Sequence, residues 1–138
     1  MTITYKETKV IEVEKVKALY QDVGWVAYTE DDNIITAIIP NALQVISAWD
    51  GDELIGLVRT VGDGVYIMYI QDILVKESHQ GKGVGSQLLQ KLLESNKHIR
   101  QNVLLTEDTE KTIQFYEKNG FMKADGKEAG IAFVKYGG

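Results

Sequence analysis

The stretch Ile73-Leu74-Val75-Lys76-Glu77-Ser78-His79-Gln80-Gly81-Lys82-Gly83-Val84-Gly85-Ser86 decides the fold. It reads as the end of an apolar strand, a short polar loop, and glycines that open a helix. Glycine lets backbone N–H groups approach a ligand with no Cβ in the way. The first N–H groups of a helix have no internal acceptor and sit at the positive end of its dipole. A phosphate or pyrophosphate is their natural guest, and Lys82 adds charge. Two familiar phosphate motifs do not fit. A P-loop would need a glycine at Lys76, five residues before Gly81. A dinucleotide fingerprint starting at Gly81 puts Ser86 at its third glycine, and one starting at Gly83 puts Leu88 there.

Downstream, Leu88, Leu89, Leu92 and Leu93 make one apolar stripe on the helix. A short strand, Asn102 to Leu105, follows. Strand, helix and strand in line predict one parallel crossover. A fourth helix is predicted over Glu110–Asn119, with Gly120 placed to end it. Two last strands, Met122–Ala124 and Ile131–Tyr136, flank a Gly126–Gly130 turn.

Upstream, residues 2–8 alternate as a strand does. Val13, Val16, Leu19, Tyr20 and Val23 recur at helical steps up to Gly24. Asp31 and Asp32 suit the start of a second helix, with Pro40 closing or bending it. Three strands then alternate with tight turns: Val45–Trp49, Leu54–Val61 and Val65–Val75. Turns as short as Asp50-Gly51-Asp52 and Gly62-Asp63-Gly64 predict an antiparallel meander. The expected architecture is α+β: a mixed, mostly antiparallel central sheet of six to seven strands flanked by about four helices. One domain, residues 1–138, is the simplest account of a chain this long without repeats or linkers.

Composition narrows the function. The chain has 138 residues, no Cys, two His and a net charge of −5. Absence of Cys removes disulfides and thiol catalysis, and two histidines give a metal site little support, so no metal is expected. The negative charge argues against nucleic acid as a partner. The opening residues lack a basic stretch followed by an apolar one, so no signal peptide is expected. No apolar run approaches the ~18 residues of a membrane span, so no membrane partner is expected and the expected location is cytoplasmic.

Gln80-Gly81-Lys82-Gly83-Val84-Gly85 matches the Arg/Gln-x-x-Gly-x-Gly/Ala signature of the GNAT superfamily of acetyl-CoA-dependent N-acetyltransferases. Phe115-Tyr116-Glu117-Lys118-Asn119-Gly120-Phe121 resembles a second segment of the same family. The resemblance is sharp over residues 70–121. It implies the GNAT fold and acetyl-CoA as the acyl-donor substrate. The backbone of Gln80, Gly81, Lys82, Gly83, Val84, Gly85 and Ser86 would hold the CoA pyrophosphate. Ile73, Leu74 and Val75 would hydrogen-bond the pantetheine arm like a missing strand. A backbone N–H near Leu74 or Val75 would stabilise the oxyanion of the thioester carbonyl. Tyr116 matches the usual general acid for the departing thiolate; the alternative is a packed core aromatic. Thr109 stands where many relatives have an Asn that contacts pantetheine, and it could instead cap the fourth helix.

The amine must lose a proton before it attacks. Relatives often place a carboxylate or water-holding groups on the central strand. Here Tyr69 and Gln71 share a polar face, and a bulge near the strand's end would bring Asp72 onto it. Asp72 is either a base acting through water or a structural carboxylate bonded to backbone or to an Arg. The family lines its acceptor pocket with the connection between the first two helices. Here that connection offers Trp25, Tyr28 and Glu30, aromatics beside acids that suit a cationic amine. With Tyr69 and Gln71 they form the candidate acceptor site. His79 is either catalytic or, as a loop His beside Gln80, solvated, and the solvated reading is favoured; His98, in a polar helix end, reads as surface. The implied reaction is acetyl transfer to a primary amine of a small molecule or peptide by direct attack. The rivals are an acetyl-CoA-binding sensor without turnover and an interaction protein. A homodimer is common in the family.

Overall fold

A computed structural model describes residues 2–137; Met1 and Gly138, the ends of the expected domain, lie outside the described residues. The elements run β1 (Ile3–Glu7), α1 (Val13–Asp22), α2 (Asp32–Ala37), β2 (Gln44–Asp50), β3 (Glu53–Gly62), β4 (Ile67–Val75), α3 (Val84–Ser95), β5 (Gln101–Leu104) and α4 (Glu110–Lys118). Single helical turns at Val26–Tyr28 and Glu77–His79 sit between them.

The five strands form one sheet in the order β1-β2-β3-β4-β5. The first four are antiparallel, and β5 lies parallel to β4. The crossover through α3 is thus confirmed. Two expected strands are missing, so the sheet has five strands rather than six to seven. Between Met122 and Tyr136 the described residues hold only an isolated bridge, Asp125 to Ile131. Phe133 and Tyr136 are exposed, so alternation there does not reflect a buried face. β4 also starts later than expected. The Asp63 carboxylate accepts the N–H groups of Val65, Tyr66 and Ile67 at 2.8–3.1 Å, so Val65 and Tyr66 bend around it and the ladder begins only at Ile67.

The chain divides into two compact units, one reaching to Leu105 and one from Thr106 onward. In the larger unit, Val16, Leu19 and Tyr20 of α1 and Ile35 of α2 pack with Val45, Trp49, Leu57 and Leu74 of the sheet. Asp31 caps α2 by accepting the Asn33 N–H at 2.9 Å. On the other face, α3 buries Val84, Leu88, Leu89 and Leu92. It packs closely over Gly56, where a Cβ would stand 3.3 Å from Leu88 and Val84. The smaller unit carries α4.

Candidate functional site

β4 changes character along its length. Its parallel ladder to β5 covers Ile67–Ile70 and stops at the Ile70–Leu104 pair. Residues 71–75 keep β3 on one side only. A bulge marks the change: Arg59 pairs with Asp72 and Thr60 with Ile70, leaving Gln71 as the extra residue. Strict alternation would put Asp72 on the face of Met68 and Ile70; the bulge turns it to the face of Arg59 and Leu57.

Asp72 is 3% exposed. Its Oδ2 accepts Arg59 Nε at 2.7 Å and Tyr20 Oη at 2.9 Å, and lies 2.7 Å from Arg59 Nη2. Its Oδ1 accepts Tyr28 Oη at 3.1 Å. Of the two expectations for Asp72, the geometry matches the carboxylate bonded to an Arg. Burial alone would weaken the Arg59 charge, but Asp72, together with Tyr20 and Tyr28, outweighs it and holds the guanidinium pKa above its ordinary value. Burial first, and the Asp72 charge second, push both tyrosine hydroxyls upward, so they stay protonated donors.

Tyr28 joins this buried cluster to the surface. Its one proton goes to Asp72, because a carboxylate only accepts. Its oxygen accepts Arg59 Nη2 and Gln71 Nε2, each at 3.1 Å. The Gln71 amide nitrogen therefore points at Tyr28, and its Oε1 is turned away from that donor-saturated hydroxyl. Gln71 itself is exposed. Trp25 is 37% exposed and meets Tyr20 edge to face at 6.1 Å. Tyr28, Gln71 and Asp72 are thus in direct contact, with Trp25 linked through Tyr20. Tyr69 faces the same side, in register with Val61. Glu30 is exposed beyond the turn that carries Tyr28.

After Val75 the chain makes one helical turn and enters the glycine loop. Gly81 and Gly83 have φ of +77° and +82°, a region that L side chains rarely adopt. Gly83 caps α3, and the first intrahelical bond there runs from Gln87 N to Gly83 O. A Cβ on Gly81 or Gly83 would meet nothing within 4 Å. His79 departs from expectation: it is 8% exposed, not solvated.

In the smaller unit, Thr109 caps α4 by accepting the Thr112 N–H at 3.3 Å. Tyr116 is 9% exposed and packs edge to face with Phe115 and Phe121 at 5.0 and 5.8 Å. Burial raises its phenol pKa, and a hydrogen bond with Thr106 opposes that only partly.

Residues 41–123 match the family model described as the acetyltransferase (GNAT) domain. The chain belongs to the GNAT acetyltransferase family. It is an acyltransferase with acetyl-CoA as donor. A GNAT family acetyltransferase of Streptococcus pneumoniae TIGR4 is 34% identical, with 97% of this chain and 98% of that one covered and a TM-score of 0.83. A ycf52-like N-acetyltransferase of Prochlorococcus marinus is 27% identical over 87% of this chain and 68% of its own length. The PaiA N-acetyltransferase of Thermoplasma acidophilum, solved in complex with coenzyme A, shares the fold at 17% identity, 94% and 95% coverage and a TM-score of 0.67. The chain spans 58% of a Gibberella zeae relative that it matches at 31% identity.

The residues of this GNAT acetyltransferase fit its donor. A Cβ at Gly81 or Gly83 would project into open space, so this exposed loop leaves room beside its backbone for a pyrophosphate. The β4 edge past Ile70 has backbone groups to offer an extended amide chain. Among the described residues no cluster of His, Asp and Glu could hold a metal, and no helix is long and apolar enough to cross a membrane. Sequence reasoning missed Arg59, Tyr20 and His79. Arg59 carried a readable signal: a charge inside the apolar run Leu54–Val61, in the strand just before Asp72. Tyr20 carried none, because its helical spacing already accounted for it as core.

Proposed function

We propose that this acetyltransferase acetylates a primary amine of a small molecule or peptide by direct attack of the amine on the thioester. The observation that carries this reading is the β4 edge: it loses β5 after Ile70 and leads, through one helical turn, into an open, positive-φ glycine loop. Acetyl-CoA supplies the thioester. The N–H groups of residues 80–86 bind its pyrophosphate, with Lys82 adding charge. Ile73 to Val75 hold the pantetheine arm, and a backbone N–H near Leu74 or Val75 polarises the thioester carbonyl. Thr109 contributes to the donor site beside its capping role. Water takes the ammonium proton before attack; as the tetrahedral intermediate collapses, Tyr116 gives its proton to the departing thiolate and regains one from the acetylated nitrogen, a task its raised pKa suits because the phenol stays protonated.

On the acceptor side, Gln71 Oε1 accepts an N–H of the amine, aimed there by Tyr28. Asp72 acts by holding Arg59 and Tyr28, since its oxygens already accept three side chains. The Trp25 ring and the Glu30 carboxylate favour a cationic acceptor. Tyr69 completes the polar face. Thiol release from acetyl-CoA across a panel of primary amines tests the reading. We expect amine-dependent release that falls sharply in Tyr116→Phe. Release no faster than hydrolysis with every amine, despite acetyl-CoA binding, would instead support the sensor.

A further inference from the structure

We infer that His79 is a positioning residue for the donor site: it mounts the glycine loop on the end of β2 through Asp50. This rests on the reading of residues 80–86 as the pyrophosphate site. Gly81, Lys82 and Gly83 are all exposed, and neither glycine has a neighbour where a Cβ would stand. The loop therefore takes its position from the turn before it and from α3 after it. His79 is the buried residue of that preceding turn.

Both ring nitrogens of His79 are engaged. Nε2 lies 3.0 Å from Asp50 Oδ2, and Nδ1 lies 2.8 Å from Ser78 Oγ. A carboxylate only accepts, so Nε2 carries the hydrogen and the ring's tautomer is set by Asp50. In the neutral ring Nδ1 then accepts from the Ser78 hydroxyl. The same turn is tied at its other residues. Lys76 N donates to Ile55 O at 2.7 Å, and Lys76 Nζ pairs with Glu53. Glu77 N donates to Asp22 Oδ2 at 2.8 Å. Gln80 Nε2 donates to Val75 O at 2.9 Å. Asp50 and Glu53 flank the β2–β3 turn, so one hairpin tip supports both ends of the Lys76–His79 segment. Its backbone is held rigidly by the β2 ladder to β1 and β3. A loop fixed before its ligand arrives binds more tightly than one ordered by it.

The test is calorimetric binding of acetyl-CoA to the full chain, with hydrogen exchange of amides 80–86 in the free protein. Loss of a part-buried charge-assisted bond and of loop order should raise the Kd of His79→Phe about tenfold. Exchange should quicken in the loop and not in β2 or β3. His79→Gln, which can still donate to Asp50, should recover most of the affinity. Gly83→Glu should abolish binding. If Gly83→Glu binds normally, the pyrophosphate reading fails and this inference with it. If Gly83→Glu loses binding while His79→Phe keeps a Kd within twofold of the parent, the mount alone is overturned. Should His79→Phe not fold, Asp50→Ala carries the same expectation, and an unchanged Kd in it overturns the inference.

Discussion

Arg59 and Asp72 meet across the β3–β4 ladder at 2.7 Å, with side chains 7% and 3% exposed. The pair exists because the bulge at Gln71 rotates Asp72 onto the Arg59 face. Removing one member leaves the other charged and buried. Asp72→Ala should therefore cost about 3–5 kcal/mol of unfolding free energy, and the double variant Arg59→Met/Asp72→Leu should recover much of it. Urea denaturation of the three proteins measures this. Equal losses in the single and double variants would show that the pair's isolation is not the cause.

Asp63 gives a pH dependence. Backbone N–H groups of Tyr66, Val65 and Ile67 hold its carboxyl below the ordinary value of 3.8. A depressed folded-state pKa gives stability that is present above the unfolded value and lost as pH falls through the folded one. The thermal midpoint should fall on acidification below pH 3.8. Asp63→Asn should flatten that part of the profile, because its amide does not titrate. An acid limb identical in both proteins would refute the assignment.

Tyr116 should fix the alkaline side of catalysis. Burial lifts its phenol above 10.0, so the acid form persists through neutral and moderately alkaline pH. As a general acid it should hold kcat level until the pH passes 10.0. Tyr116→Phe should lower kcat roughly a hundredfold or more, with little change in the KM for acetyl-CoA. A rise in KM alone, with kcat unchanged, would assign the ring to packing.

Gly83 offers a test of backbone conformation without crowding. Its φ of +82° disfavours any side chain, and a Cβ there would meet nothing. Gly83→Ala should cost about 1–2 kcal/mol of stability from strain alone. Differential scanning calorimetry of the free chain would read that loss before any ligand is added.

Thr109 separates capping from donor contact. Thr109→Ala should lose about 1 kcal/mol through the missing bond to Thr112 N, and Thr109→Ser should restore it. Restored stability with acetyl-CoA affinity still reduced would point to a contact made by the threonine methyl group.

The sequence by itself determined the order of elements up to α4, the glycine loop after a strand, and the family. These are local matters: side-chain period, turn chemistry and glycine spacing act within a few residues of one another. Helix α1 and the β2–β4 meander were legible for that reason. The two strands expected near the C-terminus failed because apolar alternation there finds no buried face. Only the tertiary structure decided the partners of Asp72 and His79. Arg59 reaches Asp72 through strand register and one bulged residue, and Tyr20 reaches it across 52 positions of chain. His79 meets Asp50 from 29 positions away. A buried polar group must find its donor or acceptor wherever the fold delivers one, and no local pattern records which residue that will be.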